Sequence, residues 1–148
     1  MTRLRVWIVA ALAVAIVVVP TTRAELQTKK YVFKSDIILE MHADMSETVR
    51  LDTVRFMLPE KPKSGMIRIG GLAKAEVAIS NTGTESIKIG IAIAVVDDND
   101  RLLGVASGGS RFLAIKAGRQ STYTLVFDDV NLDMDQATAF QISVETRP

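Results

Sequence analysis

Apolar and polar residues alternate with period two through most of the chain beyond residue 35, and no stretch carries a 3.6-residue apolar stripe. That is the pattern of half-buried antiparallel strands. From Asp36 onward, Ile37, Leu39, Met41, Ala43, Met45, Val49 and Leu51 hold one phase, which slips at Asp52 and Thr53 to Val54, Phe56 and Leu58. A slip of one residue is what an inserted residue produces where a strand bends through a bulge. The pattern therefore predicts one long edge strand crossing between two sheets.

Pro59 to Gly65 holds two prolines and a glycine and predicts a loop, followed by a short strand over Met66 to Ile69. Lys74 to Ser80 alternates Ala75, Val77 and Ile79 inward with Lys74, Glu76 and Ser80 outward. Asn81-Thr82-Gly83-Thr84 predicts a hairpin turn, with Gly83 free to take a positive φ. Ser86 to Val96 is expected to be a central strand covered on both faces, because Gly90, Ala92, Ala94 and Val96 leave its second face nearly apolar. Asp97-Asp98-Asn99-Asp100 turns the chain into Leu102–Ser107, and Gly108-Gly109 releases it. Further strands are expected over Arg111–Lys116 and Gln120–Asp128, and the last around Phe140, Ile142 and Val144.

Seven to eight short strands separated by turn signals predict an all-β fold, an immunoglobulin-like two-sheet antiparallel β-sandwich over residues 36–148. Residues 25–35 are expected to be a linker or N-terminal extension, with Thr28 to Ser35 open between linker, helix and strand. The run VAISNTGTESIKIGIAIAVVDDNDRLLG, followed by FLAIKAGRQSTYTLVF and FQISVET, resembles the FxLYD-like group of bacterial extracytoplasmic sandwich domains. In that group a strand ending in an aspartate turn is followed by a segment closing in an Ala-Gly or Pro-Gly corner. The resemblance spans roughly residues 74–146. At the signature, Ala94-Val95-Val96-Asp97 keeps the aspartate and lacks the aromatic residues that give the group its name. The resemblance implies a binding or assembly module without catalytic residues, and it carries over no site.

Residues 1–24 read as an export signal ahead of that fold. Arg3 and Arg5 precede Val6–Val19, an unbroken apolar run, and Pro20 and Thr22-Arg23-Ala24 follow with small residues at both cleavage-pocket positions. The expected signal helix, at 1.5 Å per residue, reaches only about 21 Å against a bilayer core of roughly 30 Å. Cleavage after Ala24 is expected, an uncleaved anchor being the alternative. The exported chain is thus periplasmic or secreted, touching a membrane only through the signal segment before cleavage. Cleavage removes three arginines and no acid, leaving a net charge of −2 and no basic footprint for nucleic acid. It also removes Trp7, the only tryptophan.

Composition narrows the chemistry further. The chain has no cysteine, which excludes a thiol nucleophile, a disulfide framework and a thiolate metal site. With His42 the only imidazole, a multi-histidine zinc site is impossible. His42 is also the only possible base for a Ser-His-Asp set, and no G-x-S-x-G motif accompanies it. Met41, His42 and Met45 offer soft ligands of the kind copper(I) takes. On a regular strand, however, the methionines share the apolar phase and His42 points away, so core packing accounts for them better.

Asp129, Asn131, Asp133 and Asp135 offer alternating oxygen ligands of the type calcium prefers. An EF-hand is excluded, since its glycine and glutamate positions hold Met134 and Phe140. A solvated loop with a helical turn begun by an aspartate cap is the simpler expectation. Asp97, Asp98 and Asp100 fit a turn held by its own backbone bonds. The glycines at 70–71 and 104–109 fit bulges and strand ends better than a phosphate cradle. The expected function is non-catalytic and needs no cofactor: an interaction or assembly module binding another envelope or secreted protein along an exposed edge of the Asp36–Leu51 strand. The alternative is a periplasmic small-ligand or metal-binding protein.

Overall fold

The computed structural model describes residues 25–59, 72–128, 130–131 and 133–147. They form an all-β sandwich of two antiparallel sheets, built from β1 (Glu25–Val32), β2 (Ile38–Asp44), β3 (Val49–Met57), β4 (Lys74–Asn81), β5 (Lys88–Val96), β6 (Leu102–Gly109), β7 (Gln120–Val126), β8 (Val130–Asn131) and β9 (Ala139–Arg147). One sheet has the order β1-β9-β5-β6-β8 and the other β2-β3-β4-β7. This connectivity is immunoglobulin-like: β4 and β5 lie in different sheets, β7 returns beside β4, and β9 returns beside β5. The N-terminal β1 occupies the edge beyond β9. The segment whose conformation the sequence leaves open is thus mainly a strand. The signal segment and the strand expected over Met66–Ile69 lie outside the described residues.

The core is the sum of the inward phases. Val49, Leu51, Val54 and Phe56 of β3 and Ala75, Val77 and Ile79 of β4 meet Ile89, Ile91, Ile93 and Val95 of β5 and Phe140, Ile142 and Val144 of β9. Phe56 is its hub, with ring centroids 4.6 Å from Phe33 and 4.9 Å from Phe140.

Four expectations change. The long strand from Asp36 is a hairpin: β2 ends at Asp44, the chain turns through residues 45–48, and β3 returns antiparallel to β2 in the same sheet. Apolar alternation continues across a tight turn, so periodicity does not reveal where a strand folds back. The slip at Asp52 is nevertheless a bulge, with the register jumping between Leu51↔Ile79 and Thr53↔Ala78. Opposite it, β2 answers with Met41 and His42 between Glu40↔Thr53 and Ala43↔Leu51, and His42 takes φ 43°.

Second, residues 81–84 make no hairpin, because the chain passes there from one sheet to the other. Gly83 has no positive φ; an added Cβ there would meet Thr48 Cγ2 at 2.9 Å, so the residue serves close approach. Third, the small-residue face of β5 is not covered at Ala92, which is exposed. Fourth, Arg111–Lys116 is a loop in which only Ile115 pairs, as an isolated bridge to Ile87.

Candidate interaction surface

The residues singled out as metal ligands do not converge. Met45 is 1% exposed within the core and Met41 packs against that core, while the bulge turns His42 outward, its Nε2 3.3 Å from Glu40 Oε2. Asp129 lies outside the described residues. Asn131 is in β8, and Asp133 and Asp135 are exposed beside a 3-10 turn over Met134–Gln136. Asp133 stands at the cap position of that turn without a side-chain capping bond. Among the described residues no three acidic or histidine side chains group to hold a metal ion.

Two carboxylates are buried among the described residues; the sequence predicts the turn bonds of Asp97 but not the partners of Asp52. Asp52, the bulge residue, is 4% exposed and accepts bonds from Arg50 Nε at 2.7 Å, Gln120 Nε2 at 2.8 Å and Ser80 Oγ. Burial pushes its carboxyl up, but the bonds from Gln120, Ser80 and Arg50, with the Arg50 charge, outweigh this and hold it below the usual range. Asp97 accepts from the Arg101 and Asn99 amides, both at 2.9 Å, and from Arg101 Nε at 3.0 Å. The Arg101 amide bond lowers its carboxyl most; burial opposes this, and the Asn99 amide and Arg101 charge add to the lowering. Asp52 thus ties together side chains of β3, β4 and β7, whereas Asp97 closes the backbone of its own turn.

Among the described residues the fold presents a built loop and an open edge. The loop, residues 110–119, leaves β6 at Gly109, whose φ of 136° only glycine takes readily. It is pinned at several points. Ser110 N donates to Ile89 O at 2.8 Å and Ser110 Oγ bonds Tyr123 OH at 2.9 Å. Ile115 exchanges both backbone bonds with Ile87, and Gly118 N donates to Asn81 O at 3.0 Å. Asn81 is buried, and its Nδ2 donates to Ile115 O at 2.9 Å and Glu85 O at 2.7 Å, locking the loop to the neighbouring turn. Between these anchors Phe112 and Leu113 stand 90% and 85% exposed. They flank a hollow of about 580 Å³ that reaches Tyr123.

The open edge is β7. Each of the other sheet edges carries a device that discourages strand addition. β1 carries Lys29 and Lys30, the latter paired with Asp100 at 2.7 Å; β2 is bulged at Met41–His42; β8 has two residues. β7, Gln-Ser-Thr-Tyr-Thr-Leu-Val, has no charge, and its seven paired positions against β4 run without a register shift. The edge expected from the sequence is thus displaced, since β3 is internal and β2 is bulged.

No family model and no curated protein matches the chain.

Proposed function

We propose that the protein is an exported, non-catalytic β-sandwich module that binds an extended segment of another envelope or secreted protein along the free edge of β7. The observation that carries this reading is the contrast among edges: β7 alone among the described edge strands of three or more residues is uncharged and unbulged. A flat edge offers a row of backbone donors and acceptors for an added strand, and side-chain hollows beside it supply selectivity. The hollow at Phe112, Leu113 and Tyr123 lies at the start of this strand. The apolar run before residue 20, the small residues before Glu25 and the resemblance to extracytoplasmic sandwich domains support export and a role in assembly.

The test is a photoreactive side chain at Thr124, exposed on β7, with a control at Thr28, exposed on β1. The expected result in intact cells is one recurrent cross-linked partner from Thr124, none from Thr28, and loss of the product when Thr122→Lys places a charge on the edge. Equal labelling from both positions, or no recurrent product, overturns the reading.

A further inference from the structure

The loop at residues 110–119 has a use beyond strand addition. We propose that it docks the sandwich on an anionic phospholipid surface, with Phe112 and Leu113 entering the interface and Arg111, Lys116 and Arg119 meeting lipid phosphates. An apolar tip ringed by cations is what a bilayer interface binds: apolar side chains reach the acyl boundary, and basic side chains stay at headgroup level.

Three independent observations support this. The first is that the exposure is built in. Ser110, Ile115, Gly118 and Arg119 are each held by backbone bonds to β4, to β5 or to Ile87 ahead of it, so a pinned loop, rather than a loose one, presents Phe112 and Leu113 to solvent. The second is charge. Residues 110–119 contain three cations and no acid, and none of the three forms an ion pair with a described residue. Glu85 lies in the adjoining turn. Glu145 lines the same hollow as Arg111, Glu47 lies in the nearby β2–β3 turn, and at the opposite end Asp97 and Asp100 are paired with Arg101 and Lys30, so the attraction for a negative surface comes from the loop's own three cations.

The third is where the chain enters the fold. Glu25 pairs with Thr146, Thr146 with Ile89, and Ile89 O accepts the Ser110 amide. At roughly 4.8 Å per strand, about 15 Å separates Glu25 from the foot of the loop. The apolar run Val6–Val19 ends six residues before Glu25, so the one membrane-seeking segment of the sequence joins the sandwich at the same end as Phe112 and Leu113. While that segment is attached, it keeps this end of the sandwich nearest the bilayer. Val32, Ile37, Ile38, Leu72 and Leu102, the other exposed large apolar residues among the described residues, are each less exposed than Phe112 and Leu113.

The experiment uses residues 25–148, which contain every described strand of both sheets and no tryptophan. Phe112→Trp then makes position 112 the single reporter. With phosphatidylcholine vesicles containing phosphatidylglycerol, its emission is expected to shift to the blue and to be quenched by brominated acyl chains; with phosphatidylcholine alone the change is expected to be much smaller. In co-sedimentation with the same vesicles, Phe112→Ser with Leu113→Ser should weaken partitioning about tenfold. Arg111→Gln with Lys116→Gln and Arg119→Gln should remove at least about tenfold of the preference for anionic lipid. All five positions are exposed, and wild-type melting midpoints verify that the variants fold.

An unshifted, unquenched tryptophan, or variants that sediment like wild type, overturns membrane docking. If vesicles fail to bind and Phe112→Ser abolishes the Thr124 cross-link, the loop belongs to the protein interface and membrane docking is again overturned. Vesicle binding with no recurrent cross-link upholds the loop and overturns strand addition at β7, so the two proposals fail separately.

Discussion

Asp52→Ala tests whether the bulge in β3 is clamped by its carboxylate. The substitution removes three bonds, from Arg50 Nε, Ser80 Oγ and Gln120 Nε2. Bonds to a charged group contribute about 1.5–3 kcal/mol each where nothing replaces them. Two of the donors here recover water, since the Arg50 side chain is 43% exposed and Gln120 is exposed. Removing the carboxylate also relieves the cost of burying it. The net loss expected is therefore about 2 kcal/mol rather than three full bonds.

The pH dependence gives the sharper result. Because the folded carboxyl is held below its unfolded value of about 3.9, its contribution is complete above that value and disappears as pH falls through the folded one. Urea unfolding of residues 25–148 should show the variant weaker than wild type near pH 7, with the two curves converging as the acid limit is approached. Asp52→Asn, which keeps the shape but turns an amide donor toward other donors, should cost at least as much as alanine. A loss below about 0.5 kcal/mol near pH 7, or a gap that stays constant through the acid range, would refute the charge-based clamp.

Asn81→Ala leaves the Glu85 and Ile115 carbonyls and the Gly83 amide without their side-chain partner. It should cost about 2–4 kcal/mol and speed amide exchange in residues 82–85 and 115–119, whereas unchanged exchange there would show that the loop holds without it. Phe56→Ala opens a cavity where four phenylalanine rings meet and should cost about 3–5 kcal/mol in chemical unfolding. Gly109→Ala should be far more damaging than Gly118→Ala: an added Cβ at Gly109 meets Ile89 O at 2.2 Å, whereas at Gly118 it meets nothing within 4 Å. At Gly118 only the left-handed backbone cost of about 1–2 kcal/mol remains; equal melting midpoints for the two variants would contradict this. Tyr31→Phe should stabilise by about 1 kcal/mol, because the Tyr31 hydroxyl is buried without a partner among the described residues and burial pushes its ionisation up. A destabilised variant would reveal a partner for that hydroxyl.

The sequence alone determined where β4, β5, β7 and β9 lie, because each carries an uninterrupted two-residue phase, and it located the bulge, because an inserted residue inverts that phase. It also read the Asp97 turn, whose bonds run between residues at most four apart. These are local features, legible without knowing what lies across the sheet. Tertiary structure decided the rest. Backbone pairing is made by groups every residue shares, so nothing local distinguishes a strand that folds back at residues 45–48 from one that continues, or a turn that closes a hairpin from one that crosses between sheets. The same applies to the candidate surface. RFLAIK alternates well enough to pass for a strand, yet Gly109 turns the chain away and only Ile115 finds a partner in Ile87, which leaves Phe112 and Leu113 in solvent. β7 is recognisable as a strand from its composition, but it became an edge only when β4 was paired on its other side by β3.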